Sequence, residues 1–237
     1  MTRQAEIFGS SIIAVGSFNP AIFSPDWLLR NQLIGQGDCE TALSSESLIV
    51  SRQVCAYETA WFALQVLEEQ FSLTSKGPLT PAFSDLAIGI LSLVPHSPIR
   101  ALGLNFHAHY RLGSEADYHR VGDVLAPKVI WRDLFPGDGF SAGMADLTIR
   151  IQETNERREA LSKNEKRISI QPSSKLRYGV YMSYNNHNVI EASGDLLPPG
   201  EQAAGIIEAD WLKTWEDATR VFDGLISAAL AGTGNTN

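Results

Sequence analysis

The sequence predicts an α+β protein in which a curved, mainly antiparallel sheet packs against a long C-terminal helix. Several segments alternate between apolar and polar residues, the period of a strand with one buried face. The segment Glu201–Leu230 instead repeats its apolar residues every three or four positions, as an amphipathic helix does. Such a helix needs an apolar surface to lie along, and the predicted strands provide one.

The N-terminal half is predicted to contain three strands and two helices. In chain order these are a strand over Ser11–Phe18, a helix over Asp26–Ile34, strands over Leu48–Tyr57 and Phe62–Ser75, and a helix over Thr80–Val94. The Gly-rich stretch 35–38 should end the first helix. The two neighbouring strands should form a hairpin, with a bulge near Glu68 and Glu69 where the alternation breaks. Thr80 and Pro81 are typical of a helix start.

The C-terminal half begins with the clearest strand, Leu102–Leu112, in which every second residue is apolar. A helix should follow from Ser114 to Leu125, with Ser114 as its cap. The remaining predicted strands are Ala145–Gln152, Ile168–Pro172 and Lys175–Asn185. The highly charged stretch 153–167 is interpreted as a solvated hairpin tip, with a partner-contacting arm as the alternative.

The length of 237 residues predicts one α+β module over 1–231, followed by a mobile tail over 232–237. The two halves of the chain have a similar predicted order of elements. The stretch Ile99–His107 resembles Leu176–Tyr184 in pattern, which leaves a pseudo-duplicated sheet open as an alternative.

Composition and charge exclude some classes of partner. The chain is 44% hydrophobic and 19% charged, as a globular domain is, and its net charge is -8. Generic nucleic-acid binding depends on Lys and Arg at phosphates, so an acidic chain argues against it and against an anionic membrane surface. No segment approaches the roughly 20 apolar residues of a membrane span. We therefore expect no membrane partner and no nucleic-acid partner.

The cysteines and the N-terminus predict a cytoplasmic protein. Cys39 and Cys55 are the two cysteines, too few for a disulfide framework, and we expect both to be reduced thiols. The apolar run Ile12–Val15 is shorter than the roughly 7–15 residues of a signal-peptide core.

The sequence has no motif that specifies a reaction. It lacks the Gly-rich dinucleotide and P-loop patterns, the Ser nucleophile elbow, the HExxH metal motif and any CxxC pair. We therefore predict no cofactor, although a catalytic site assembled from scattered residues leaves no such motif.

One polar strand face is the main candidate site. Asn105, His107, His109 and Arg111 lie two residues apart, so their side chains should share one face of the strand. Two imidazoles there could bind Zn²⁺, but a zinc site usually needs at least three protein ligands. The third would have to come from His119, Asp117 or His187. The alternatives are a hydrated sheet face, which we favour over a metal site, and contact with another ligand or a partner.

Arg177 and Tyr181 should lie on one face of the last predicted strand. If that strand neighbours the histidine strand, Arg111, Arg177 and the histidines would form a mildly basic cleft suited to a small anion. Cross-strand pairing with acidic residues is the alternative. The stretch Tyr184–His187 is interpreted as a turn, because Asn185 and Asn186 tolerate positive φ.

Three stretches carry a resemblance to a group of proteins. Ser97–Phe106, Val15–Pro20 and Gln171–Ser174 look like stretches from sporadically distributed, uncharacterised bacterial α+β proteins of similar length. The resemblance implies a bacterial or mobile-element setting. It brings no catalytic motif and therefore no residue role.

Three functions follow as hypotheses. The first is a non-enzymatic cytoplasmic subunit of a bacterial assembly that binds another protein or associates with itself. The second is a small-ligand-binding protein with a pocket between sheet and helix. The third is a metal-dependent enzyme that uses His107 and His109.

Overall fold

The structure, a computed structural model, describes residues 4–135, 139, 141–154, 161–191 and 197–231. Its strands are β1 (Ile7–Gly16), β2 (Ile49–Val50), β3 (Val54–Glu58), β4 (Phe62–Leu67), β5 (Gln70–Ser75), β6 (Ile99–Arg111), β7 (Leu147–Thr154), β8 (Leu161–Pro172) and β9 (Gly179–Val189). Its helices are α1 (Pro25–Arg30), α2 (Gln36–Leu43), α3 (Pro81–Leu93), α4 (Glu115–Leu125), α5 (Val129–Leu134) and α6 (Pro199–Ala231).

The described strands form one antiparallel sheet in the order β2-β3-β4-β5-β1-β6-β9-β8-β7. β1 pairs with β6 in the middle, and a meander of strands extends from each of them. The sheet and the long helix α6 confirm the predicted α+β class. The duplication of the two halves stays a prediction.

The core lies between the sheet and a layer of helices. α6 packs on β6 and β9, and α3 and α4 pack against α6. Phe106 of β6 contacts Trp211 of α6, with ring centroids 4.5 Å apart. Buried residues follow the predicted stripe of α6, where Ile207, Trp211 and Phe222 are covered. At the C-terminal end Ile226 is buried instead of Leu225, which is only partly covered.

The last strand differs from the prediction at both ends. It begins at Gly179 instead of Lys175, because Tyr178 has φ 53° and makes a turn there. It continues to Val189, so the predicted turn at Asn185 and Asn186 is wrong. The Asn185 amide donates to Asn105 of β6 and the Asn186 amide to Thr214 of α6. These tertiary hydrogen bonds override the turn preference of asparagine.

Several predicted boundaries in the N-terminal half are also wrong. The first helix, α1, ends at Arg30, before the Gly-rich stretch 35–38 that was predicted to end it. Gly35 is instead the N-cap of α2. The strand predicted over Leu48–Tyr57 is divided into β2 and β3 by a turn in which the Ser51 hydroxyl accepts from the Gln53 and Val54 amides. β4 and β5 are joined by a tight turn at residues 68–69 where a bulge was expected.

The region after α4 contains structure that the sequence did not indicate. The short helix α5 was not predicted. β8 starts at Leu161, so much of the charged stretch 153–167 is strand, and its centre at 155–160 lies outside the described residues. The tail 232–237, predicted to be mobile, also lies outside them. Among the described helices, none is long and apolar enough to cross a membrane.

Candidate functional site

The helices cover one face of the sheet, and we call the other face the open face. Leu104 and Phe106 of β6 are buried beneath the helices, so Asn105 and His107, which alternate with them along the strand, belong to the open face. Because paired residues lie on the same side of a sheet, the strand register shows which residues of the neighbouring strands belong to the open face. Most open-face residues of the described strands are half-exposed.

A ladder of amides crosses the centre of the open face. Asn185 Nδ2 donates to Asn105 Oδ1 at 2.7 Å, and Asn105 Nδ2 donates to the carbonyl oxygens of Ser11 at 3.3 Å and Gly103 at 3.2 Å. A Cβ atom at residue 103 would lie 2.8 Å from Asn185 Nδ2, so the glycine makes room for this amide. The ladder joins β1, β6 and β9 into a fixed polar surface.

His107 and His109 share the open face, as predicted, and Tyr181 joins them. The Tyr181 ring lies 5.8 Å from the His107 ring and 4.9 Å from the His109 ring. His109 Nδ1 is 2.8 Å from the Ser173 hydroxyl. Burial lowers the pKa of both histidines, and the positive charge of Lys175 lowers it further. This shift favours the neutral form of both imidazoles at pH 7.

The structure does not complete the hypothetical metal site. His187 pairs with Gly103, four residues along β6 from His107, which corresponds to roughly 13 Å. Asp117 and His119 belong to α4 in the helix layer. In the part of the chain that the structure describes, no group of three His, Cys, Asp or Glu residues is placed to hold a metal ion.

Of the two arginines of the hypothetical basic cleft, Arg111 shares the open face with the histidines, as predicted, whereas Arg177 lies outside the strand. Arg111 at the end of β6 makes a double hydrogen bond to the Glu6 carboxylate, at 2.7 and 3.1 Å. Arg177 lies outside β9, and its guanidinium sits 4.8 Å from the centroid of the Tyr178 ring and donates to its hydroxyl. The cation beside the histidines is Lys175, whose place in a turn no sequence pattern indicated.

Sequence reasoning also missed a charged cluster on β7 and β8. The Glu165 side chain is buried on the open face. Its carboxylate forms an ion pair with Arg150, at 3.0 Å, and a second ion pair with Arg167, which also donates a hydrogen bond to it. Because the stretch 153–167 is so highly charged, it was interpreted as a solvated hairpin tip, and this cluster was not predicted. The spacing of Glu165 and Arg167, two residues apart, would have placed both on one face if a strand had been predicted there.

An apolar row runs along one end of the open face, and we call it the aliphatic row. The register aligns its members across six strands, with Gln70 as the one polar position. Its members are Val54, Leu67, Val15, Ala101 and Val189. Leu67 is 39% exposed and the others are half-buried. Six neighbouring strands give the row a length of roughly 24 Å.

A groove of about 320 Å³ lies on the other side of the sheet, between α6 and strands β7–β9. Its lining is mostly polar and includes Lys166, Asn188 and Lys213. Lys166 of β8 reaches across to Asp217 of α6, with Nζ and Oδ2 3.4 Å apart. The pocket expected between sheet and helix is thus an open groove at the side of α6.

Comparison of the chain with protein-family models and with curated proteins finds no match. The sites available for a functional hypothesis are therefore the surfaces described above. These are the open face with its aliphatic row and polar ladder, and the groove beside α6.

Proposed function

We propose that this chain is a non-enzymatic protein-binding subunit of a cytoplasmic bacterial assembly, and that it binds its partner on the open face. The observation that supports this most is the aliphatic row, which leaves Leu67 and its neighbours in contact with water beside a polar surface. An apolar strip with a polar surround is the usual anatomy of a protein interface. The bacterial setting is supported by the sequence resemblance, and the cytoplasmic setting by the free thiols of Cys39 and Cys55, both buried.

A protein partner suits this face better than a nucleic acid. Nucleic-acid affinity depends on cations that are free to neutralise phosphates. On the open face, Arg150 and Arg167 share the Glu165 carboxylate, and Arg111 is paired with Glu6. Glu6 neutralises Arg111, and Glu165 offsets one of the two charges of Arg150 and Arg167, so little positive charge on these residues is free to bind phosphate. The aliphatic side chains of the row, in contrast, remain partly exposed to water.

The partner can be tested by affinity capture from the cells that naturally make the protein. Leu67→Arg places a charge in the aliphatic row. The control, Leu212→Arg, changes a leucine that is 62% exposed on α6. We expect the wild type and Leu212→Arg to retain the same partner, and Leu67→Arg to lose it at least about tenfold, since desolvating a charge in the interface costs more than about 1.4 kcal/mol. Retention of the partner by folded Leu67→Arg would contradict the proposal.

The groove beside α6 supports a second candidate function, the binding of a small polar ligand. Its volume of about 320 Å³ lies at the lower end of the range for ligand pockets, roughly 300–1,000 Å³. A thermal-shift screen of small polar metabolites would test it. A ligand for this groove should raise the melting temperature of the wild type but not that of Asn188→Ala. A screen without any such compound would count against this function.

We also propose that the two halves of the chain arose by duplication. The first half runs β1, α1 and α2, the meander β2–β5, and α3. The second runs β6, α4 and α5, the meander β7–β9, and α6, and in each half the first strand pairs with the last strand of its meander. An experimental structure whose corresponding strands do not superpose under a single rotation would contradict this proposal.

A further inference from the structure

We propose that two copies of this chain associate by pairing their β7 strands, which makes one continuous sheet through a two-fold axis. The inference goes beyond the proposed function, because it uses an edge of the sheet and leaves the open face free. β7 is the last strand at its end of the sheet and spans eight residues, whereas the strand at the other end, β2, has two. Within the described ranges, no strand pairs with the outer side of β7.

β7 has the features that protect sheet edges from association only at its C-terminal end, where its pairing is irregular between Gln152 and Thr154 and Glu153 lines the groove beside α6. Natural edges are short, or carry proline or charges that point toward the core. β7 contains no proline, and Leu147, Ile149 and Ile151 occupy its helix-side positions. Ile151 pairs with Lys166, whose side chain reaches α6, and this contact identifies the side. Ile149 is 46% exposed and Ile151 is 50% exposed.

Symmetry restricts how two β7 strands can pair. Residues directly opposite in an antiparallel pair lie on the same side of the sheet. The two-fold axis must therefore pass through one residue of β7. An axis at Thr148 would pair only residues 147–149 of β7 with one another. An axis at Arg150 would set two guanidinium groups against each other, and an axis at Ile151 would set Ile149 against Glu153 of the second copy. An axis at Ile149 sets Ile149 against itself and Leu147 against Ile151, so all the apolar residues meet.

The charges are compatible with the same axis. With the axis at Ile149, Arg150 lies opposite Thr148 of the second copy and diagonal to both its Asp146 and its Arg150, and each Arg150 is already paired with Glu165 of its own copy at 3.0 Å. Diagonal neighbours are roughly 7–8 Å apart, which long side chains span. The Thr148 hydroxyl lies 3.2 Å from the Asp146 carboxylate and holds it near the strand. No like charges stand opposite each other in this register, and the two open faces lie on the same side of the joined sheet.

Cysteine cross-linking tests the register directly. Paired residues in an antiparallel sheet have Cα atoms roughly 4.5–5.5 Å apart, within the range of a disulfide. Under mild oxidation we expect Ile149→Cys to form a covalent dimer. Ile151→Cys should not, because its copies lie about four residues, or roughly 13 Å, apart. Val50→Cys, at the other edge and 48% exposed, is the matched control. A covalent dimer of all three variants, or of none, would overturn the proposal.

Sedimentation equilibrium tests the association itself. We expect the wild type to be a dimer, Ile149→Lys to be a monomer because two ammonium groups would meet at the axis, and Val50→Lys to remain a dimer. A monomeric wild type would overturn the proposal. That result would leave the proposed function standing if the monomer still captures its partner. Loss of capture by Leu67→Arg in an intact dimer would likewise separate the two surfaces.

Discussion

The histidines of the open face show how burial sets charge at the scale of the residue. His107, His109 and His187 all have their pKa lowered from 6.5, with burial as the largest cause. The unfolded chain therefore takes up protons first as the pH falls. The stability that neutral histidines provide is complete above about pH 6.5 and is lost as the pH falls toward the lower pKa of the folded state.

We expect NMR titration to give His107 and His109 pKa values below 6.5 in the folded protein. The melting temperature should fall between pH 7 and pH 5, and it should fall less in the double variant His107→Gln, His109→Gln. Glu6 and Glu191 have lowered pKa values, so what they contribute to stability is constant above about pH 4.5 and is lost only at lower pH. Titration of either open-face histidine above 6.5 would contradict the burial of its ring.

Gly9 is a further residue on which the packing of the open face depends. A Cβ atom there would lie 2.4 Å from two atoms of the His107 ring. We expect Gly9→Ala to lower the free energy of unfolding by about 1–3 kcal/mol, since the ring must leave its place over β1. The cost should shrink when His107→Ala is added. Urea denaturation measures both effects.

Gly205 provides the control for this substitution. It lies within α6, and nothing lies within 4 Å of an added Cβ. Gly205→Ala should raise the stability by about 0.5–1 kcal/mol, because alanine favours a helix. If Gly9→Ala is as stable as Gly205→Ala, the His107 ring does not lie across β1.

Residue-scale features were predictable where they followed from alternation alone. The period of two in β6 was enough to place Asn105, His107 and His109 on one face. The position of Arg177 was not predictable, because the positive φ of Tyr178 ends the strand and no residue type there indicates it. The neighbours of a residue on adjacent strands depend on the strand register, which could not be predicted from a single sequence.

At the scale of the element, α6 is the part that the sequence predicted best. Its apolar period and length are local properties, and Ile207, Trp211 and Phe222 are buried as expected. The polar Thr214 within this buried stripe had no explanation in the sequence. Its hydroxyl accepts a hydrogen bond from the Asn186 amide of β9 at 2.9 Å, a contact between elements that are distant along the chain.

Truncation of one α6 side chain tests whether this stripe is core. Phe222 is 1% exposed, and Phe222→Ala should cost about 3–5 kcal/mol, a large part of a typical stability of about 5–15 kcal/mol. Glu216→Ala, on the exposed side of α6, should change stability by no more than about 0.5 kcal/mol. Thermal and urea melts measure both. Equal melting of the two variants would show that the stripe is not packed on the sheet.

The whole molecule has helices on one face of its sheet and a half-exposed face on the other. The class of fold was predictable, because alternating strands and one long amphipathic helix admit few arrangements. The order of the strands was not, since β1 pairs with β6 across the middle of the chain. The aliphatic row exists only through that order: Val54, Val15 and Val189 come from distant parts of the sequence and meet through register.

The central claim is that the open face binds a protein, and site-specific photo-cross-linking in the native cells tests it most directly. A photoreactive amino acid would replace Ser183, which is half-exposed on the open face, or Glu216, which is exposed on α6. We expect the probe at Ser183 to give one discrete covalent adduct with another protein and the probe at Glu216 to give none. Absence of an adduct at Ser183, or the same adduct from both positions, would contradict the claim.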